Sequence, residues 1–127
     1  MLQTGNRNFT RENSVSLKIF HDGGDPARPA EEGDAGAELV EVWLRPLLGR
    51  DTREINNSVL ETDKRGKTAT LAGDIPMLKV CKSVVDVDGL AGNDKWTKHV
   101  YDTVPQWVND RLLAKIDEMN EELDPEE

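Results

Sequence analysis

No segment limits the possible fold more than residues 21–37 (His21-Asp-Gly-Gly-Asp-Pro-Ala-Arg-Pro-Ala-Glu-Glu-Gly-Asp-Ala-Gly-Ala37). They hold four Gly and two Pro, and their apolar side chains are no larger than Ala. Such a stretch buries too little area to offset its chain entropy and reads as an acidic mobile loop. Loops this long are uncommon in compact domains. The fold must therefore be built from what flanks it.

Both flanks alternate. In Ser14-Val-Ser-Leu-Lys-Ile-Phe20, Val15, Leu17 and Ile19 share one face and Ser16 and Lys18 the other. In Glu38-Leu-Val-Glu-Val-Trp-Leu-Arg45, Val40, Val42 and Leu44 form the apolar face, with Leu39, Glu41 and Trp43 opposite. Period-two patterning of this kind marks half-buried strands. Pro46 cannot donate to a ladder and should end the second. The two runs pair most simply as an antiparallel hairpin, which needs helices packed on it to be stable.

Helical signals follow. Asp51-Thr-Arg-Glu54 has capping-box spacing before Ile55, Val59 and Leu60, and this helix should end by Arg65-Gly66. Asp74 can cap a second helix, with Pro76 tolerated in the first turn. Met77, Leu78, Cys81, Val84 and Val85 recur at helical spacing and predict one buried face, closed by an Asp86-Val-Asp-Gly89 turn. A short helix carries Trp96 and Val100. Thr103-Val-Pro-Gln106 then offers an N-cap, a first-turn Pro and Gln at N3. From there Val104, Val108, Leu112, Ile116, Met119 and Leu123 form an apolar stripe to about Glu122. The expected fold class is α+β, an N-terminal two-stranded antiparallel β-hairpin packed on three to four α-helices. It forms a single domain over 1–127, with a flexible arm at 1–13 and an acidic tail at 123–127.

Charge is distributed unevenly. The chain has 127 residues and a formal net charge of −9. Residues 21–41 carry seven acids against Arg28, residues 116–127 carry seven with no base, and the remainder is mildly basic. This argues against nucleic acid as a partner, because phosphate binding needs Lys and Arg to displace counterions. It also counts against an acidic inhibitor that mimics DNA, whose charges would have to be held rigidly. With no apolar run near ~18 residues a membrane span is not expected. The first eight residues lack the apolar core of a secretory signal.

Reactive groups are sparse. Gly66-Lys67-Thr68 resembles the end of a phosphate-cradling loop, but the Gly that the motif requires five residues earlier is Glu61. Asp86 and Asp88 have the spacing that opens a calcium loop, yet Leu90 and Ala91 stand where a ligand and Gly belong. Cys81 and His99 are the one thiol–imidazole pair to weigh as nucleophile and base, and Cys81 falls on an apolar helix face where cysteine acts as a small hydrophobe. The chain reads as a non-enzyme with no catalytic, cofactor-binding or metal-binding residues. Trp43, Trp96 and Trp107 most simply supply core area and ring N–H contacts; if the sheet covers its core with the valine face, Trp43 on the opposite face is exposed and a candidate contact for another protein.

One resemblance narrows the field. Glu41-Val-Trp-Leu-Arg-Pro-Leu-Leu-Gly-Arg-Asp-Thr-Arg-Glu54 comes first, then Ser83-Val-Val-Asp-Val-Asp-Gly-Leu90, Trp96, Tyr101-Asp-Thr-Val-Pro-Gln-Trp107 and a last helix reaching Met119-Asn120. Over residues 38–120 this order resembles the tail assembly chaperones of long-tailed bacteriophages. The long 21–37 loop and the 1–13 arm depart from the short hairpin of that family. The resemblance implies a protein of the bacterial host cytoplasm, absent from the finished virion. It would coat the phage tape-measure protein and keep it soluble until tail-tube subunits polymerise around it. It also implies self-association, since many weak copies side by side gain avidity. Candidate contacts for client or self are Leu39, Trp43, Trp96, Trp107, Leu112, Ile116 and Met119. The alternative is a structural tail or head–tail joining subunit (tube or terminator) whose loop and arm order on assembly.

Overall fold

A computed structural model describes residues 9–64, 71–92 and 94–122, without the side chains of 58–64, 71–73, 121 and 122. The Gly66-Lys67-Thr68 loop, the tail from residue 123, residues 1–8 of the arm and the side chains of Val59, Leu60 and Leu123 lie outside the described residues.

The two alternating runs form β1 (Val15–His21) and β2 (Glu38–Leu44), antiparallel, with Val15 opposite Leu44 and His21 opposite Glu38. The helices are α1 (Gly49–Lys64), α2 (Leu71–Ser83), α3 (Lys98–Thr103) and α4 (Gln106–Glu122). The fold is mixed α+β. Its sheet, however, is larger than a hairpin. A third strand, β3 (Val84–Asp88), pairs antiparallel with β2, giving the order β1-β2-β3.

β3 corrects the reading of Val84 and Val85 as helix face and of Asp86–Gly89 as a turn. Spacing alone continued the α2 pattern through both valines. Val84-Val-Asp-Val-Asp88 is also rich in β-branched side chains, which lose χ1 freedom in a helix and pack well on a pleated surface. The ladder satisfies the second edge of β2, and Val87 is buried opposite Val42. With the helix ending at Ser83, Val80 takes the place in the core that the spacing gave to Cys81. Val80 is fully buried and Cys81 only half-buried. Gly89 then turns the chain away with φ +101°, close against β2: a Cβ there would lie 2.5 Å from the Leu39 carbonyl oxygen.

Three helix starts differ from expectation. α1 begins at Gly49, so Asp51 sits in its first turn and reaches back to accept from the Leu48 N–H at 2.8 Å. α2 begins at Leu71, which places Asp74 inside the first turn and Pro76 inside the helix. Thr103 closes α3 rather than capping α4, its hydroxyl donating to the His99 carbonyl at 2.8 Å. The cap of α3 is Thr97, whose side chain accepts from the Val100 N–H.

The core lies between one sheet face and the helices. Ile19, Val40, Val42, Leu44 and Val87 meet Val80, Trp96, Val100 and the α4 stripe of Val108, Leu112, Ile116 and Met119. The end of α4 is tied back to the first half of the chain, Leu47 N–H donating to Asn120 Oδ1 at 3.2 Å.

The 22–37 loop has a defined, hydrogen-bonded course. The Asp22 carboxylate accepts from the Gly24 and Arg28 N–H groups, both at 2.9 Å, which hold its carboxyl below the usual range. Asp22 N–H donates to the Arg28 carbonyl and Ala30 N–H to that of Phe20, so Pro29 bridges His21 along the outer edge of β1. Small residues bar a loop from building a core of its own. They do not stop an Asx turn and a strand edge from organising it.

Candidate functional site

The strand register assigns the side chains to faces. Val15, Leu17 and Ile19 lie with Val40, Val42 and Leu44 toward the core, so Ser16–Trp43, Lys18–Glu41 and Phe20–Leu39 are the cross-strand pairs of the outer face. Trp43 lies on this outer face and is nonetheless covered: it retains 9% of its accessible surface. The Arg11 guanidinium, carried on the short 3-10 turn Arg11–Asn13, lies 3.9 Å from the ring centroid. Arg11 Nε also donates to Asp86 Oδ2 at 2.6 Å. That bond to Arg11 is the main reason the Asp86 carboxyl sits below its ordinary range. The arm thus covers one end of the outer face through a cation–π contact and an ion pair.

The other end stays uncovered. Leu39 is 40% exposed beside half-buried Phe20. Val15, at the opposite end of β1, is 39% exposed. The remaining candidates lie deeper. Leu112, Ile116 and Met119 are buried in the core and present no surface to a partner in this fold, and Trp96, also buried, borders only the pocket described below. The stripe of α4 is spent on the sheet. Trp107 is half-buried, its indole N–H donating to the Ala27 carbonyl of the acidic loop at 3.0 Å, with the Arg111 guanidinium 4.6 Å from its ring centroid. Of the seven, Leu39 alone offers an open apolar surface among the described residues. Phe20 was missed, although its place one step beyond Lys18 in the alternation marked it as an apolar residue on the polar face.

A pocket of about 250 Å³ opens at the loop end of the sheet. Ile19, Val40, Leu90, Val104 and Val108 give it apolar walls, Trp96 lines it, and exposed Glu38 and half-buried His21 stand at its margin. His21 Nδ1 accepts from the Gly23 N–H at 3.0 Å. The Glu38 carboxylate occupies the space that a Cβ on Gly23 would need, so loop and strand meet closely here. The Trp96 indole N–H is buried without an acceptor among the described residues. No pattern in the sequence pointed to this pocket, because its walls come from five separate segments.

The thiol and the imidazole differ in exposure. Burial, and then the nearby Asp102 charge, push the Cys81 thiol up from its ordinary value. That disfavours the thiolate a nucleophile requires. Its sulfur lies 3.7 Å from Met77 Sδ, while His99 is exposed on α3. Asp86, the first acid of the calcium-like spacing, is engaged by Arg11. Among the described residues no group of three His, Cys, Asp or Glu is placed to hold a metal ion, and no helix is long and apolar enough to cross a membrane.

No protein-family model, curated protein or solved structure matches this chain.

Proposed function

We propose that this protein is a bacteriophage tail assembly chaperone. It binds the tape-measure protein in the host cytoplasm and keeps it soluble while tail-tube subunits polymerise, without remaining in the virion. The observation that supports this reading is the uncovered Leu39–Phe20 pair on the outer sheet face, where the neighbouring Trp43 is shielded by the arm. An apolar patch left open on a small, highly charged domain is the feature expected of a surface that covers an apolar client. A patch this small gives a weak contact. Weak contacts suit a coat of many copies that growing tube subunits must displace. The client is the one implied by the resemblance of the residue order over 38–120 to phage tail assembly chaperones.

Co-expression with a tape-measure-like coiled protein tests the proposal. The client's soluble fraction should rise and a complex should appear on size exclusion. The double variant Phe20→Ser, Leu39→Ser should fold and lose both effects. A client that stays insoluble beside wild-type protein refutes the proposal.

The alternative of a structural tail or head–tail joining subunit draws on a different observation. β1 is an outer strand, and among the described residues the loop bridges it only near His21, leaving the edge around Ser16 and Lys18 for a strand from a neighbouring subunit. Closed rings or tubes formed by the purified protein without a client would favour this second reading.

A further inference from the structure

The pocket at the loop end of the sheet lies on the core side of β1 and β2, whereas Leu39 and Phe20 lie on the outer side, so it is a second, separate feature. We propose that it is an anchor site for a short segment of a partner polypeptide, taking one large apolar side chain flanked by Lys or Arg.

Three observations carry this. The first is size. At about 250 Å³ the pocket falls below the ~300–1,000 Å³ typical of small-molecule sites, and its walls are Ile19, Val40, Val104 and Val108. Such a space suits one side chain better than a cofactor. The second is Trp96, a buried aromatic residue that lines the pocket and favours an apolar side chain beside it. The third is charge at the margin. Glu38 borders the pocket, and Asp22 and Asp25 precede it in the adjoining loop, where Arg28 is the one base among six acids between residues 21 and 38. A carboxylate ligand would meet repulsion there. A flanking ammonium or guanidinium would meet opposite charge, more strongly at low salt.

The test uses the full chain and three capped tripeptides, acetyl-Lys-Leu-Lys-amide, acetyl-Lys-Ala-Lys-amide and acetyl-Glu-Leu-Glu-amide. Titrations are followed by the indole N–H resonances of the three tryptophans, with that of Trp96 assigned through Trp96→Phe. The Lys-Leu-Lys peptide should move the Trp96 resonance saturably and bind at least about tenfold more tightly than either control. Its affinity should fall as salt is raised. Ala27→Leu, which adds bulk at the pocket wall, should abolish binding, and Glu38→Gln should weaken it several-fold while leaving the fold intact. An unmoved Trp96 resonance, or equal binding of the three peptides, overturns the proposal. Loss of this binding leaves the outer-face chaperone reading untouched, because Phe20 and Leu39 do not line the pocket.

Discussion

Asp51 shows how much one side chain settles. Its carboxylate accepts from Arg45 Nη1 at 2.7 Å and Nη2 at 3.1 Å, and from the Leu48 N–H. The two side chains are 14% and 4% exposed. Burial by itself would raise the Asp51 carboxyl. The Arg45 hydrogen bonds, the Leu48 N–H and the nearby positive charges outweigh it, and the group sits below its ordinary value. A depressed folded-state value means that the stabilisation is complete above the unfolded value of about 3.9 and is lost as pH falls through the lower folded one. Asp51→Asn leaves a buried guanidinium without its counter-charge and should cost about 3 kcal/mol at pH 7. Urea unfolding measured at pH 7 and pH 3 should show the difference from wild type shrinking at the lower pH. A second single-residue expectation concerns Gly89. Its φ of +101° and the Leu39 carbonyl 2.5 Å from any Cβ predict that Gly89→Ala loses about 2 kcal/mol, read from the same unfolding curves.

Elements divide into those whose residues declare themselves and those that depend on a neighbour. β1, β2 and α4 were legible because each carries one unbroken periodicity, two for the strands and three to four for the helix. β3 was not. Val84 and Val85 satisfy the helical spacing and the strand composition equally, and only the open edge of β2 decides between them. Helix starts at Asp51, Asp74 and Thr103 were misplaced by a few residues for a related reason: an acid or hydroxyl near a helix end serves as a cap or as a first-turn group, and tertiary partners such as Arg45 select which. The alternation puts Leu39 and Trp43 on one face, and Leu39 is exposed there while Trp43 is covered, because the cover over Trp43 comes from an arm with no periodic signal. Two outcomes follow at this scale. Leu112→Ala removes a fully buried contact of α4 and should cost about 3 kcal/mol. Arg11→Ala should shift tryptophan emission to the red as Trp43 becomes wet, with under about 1 kcal/mol lost, since the Arg11–Asp86 pair is largely exposed.

For the whole molecule, the position of α4 governs how the fold can be reached. The sheet face that it covers is made early in the chain, from Ile19, Val40, Val42 and Leu44, and the residues that close over that face, Leu112, Ile116 and Met119, come nearly last. Asn120 adds a direct tie to Leu47 across 73 residues of chain. A chain of this design has no shorter piece with a closed interior. During synthesis the apolar face of the first two strands must wait, open to solvent, until α4 has emerged from the ribosome. Any truncation that removes the last turns of α4, or a fusion that blocks its docking, should yield an insoluble N-terminal remnant rather than a smaller working domain.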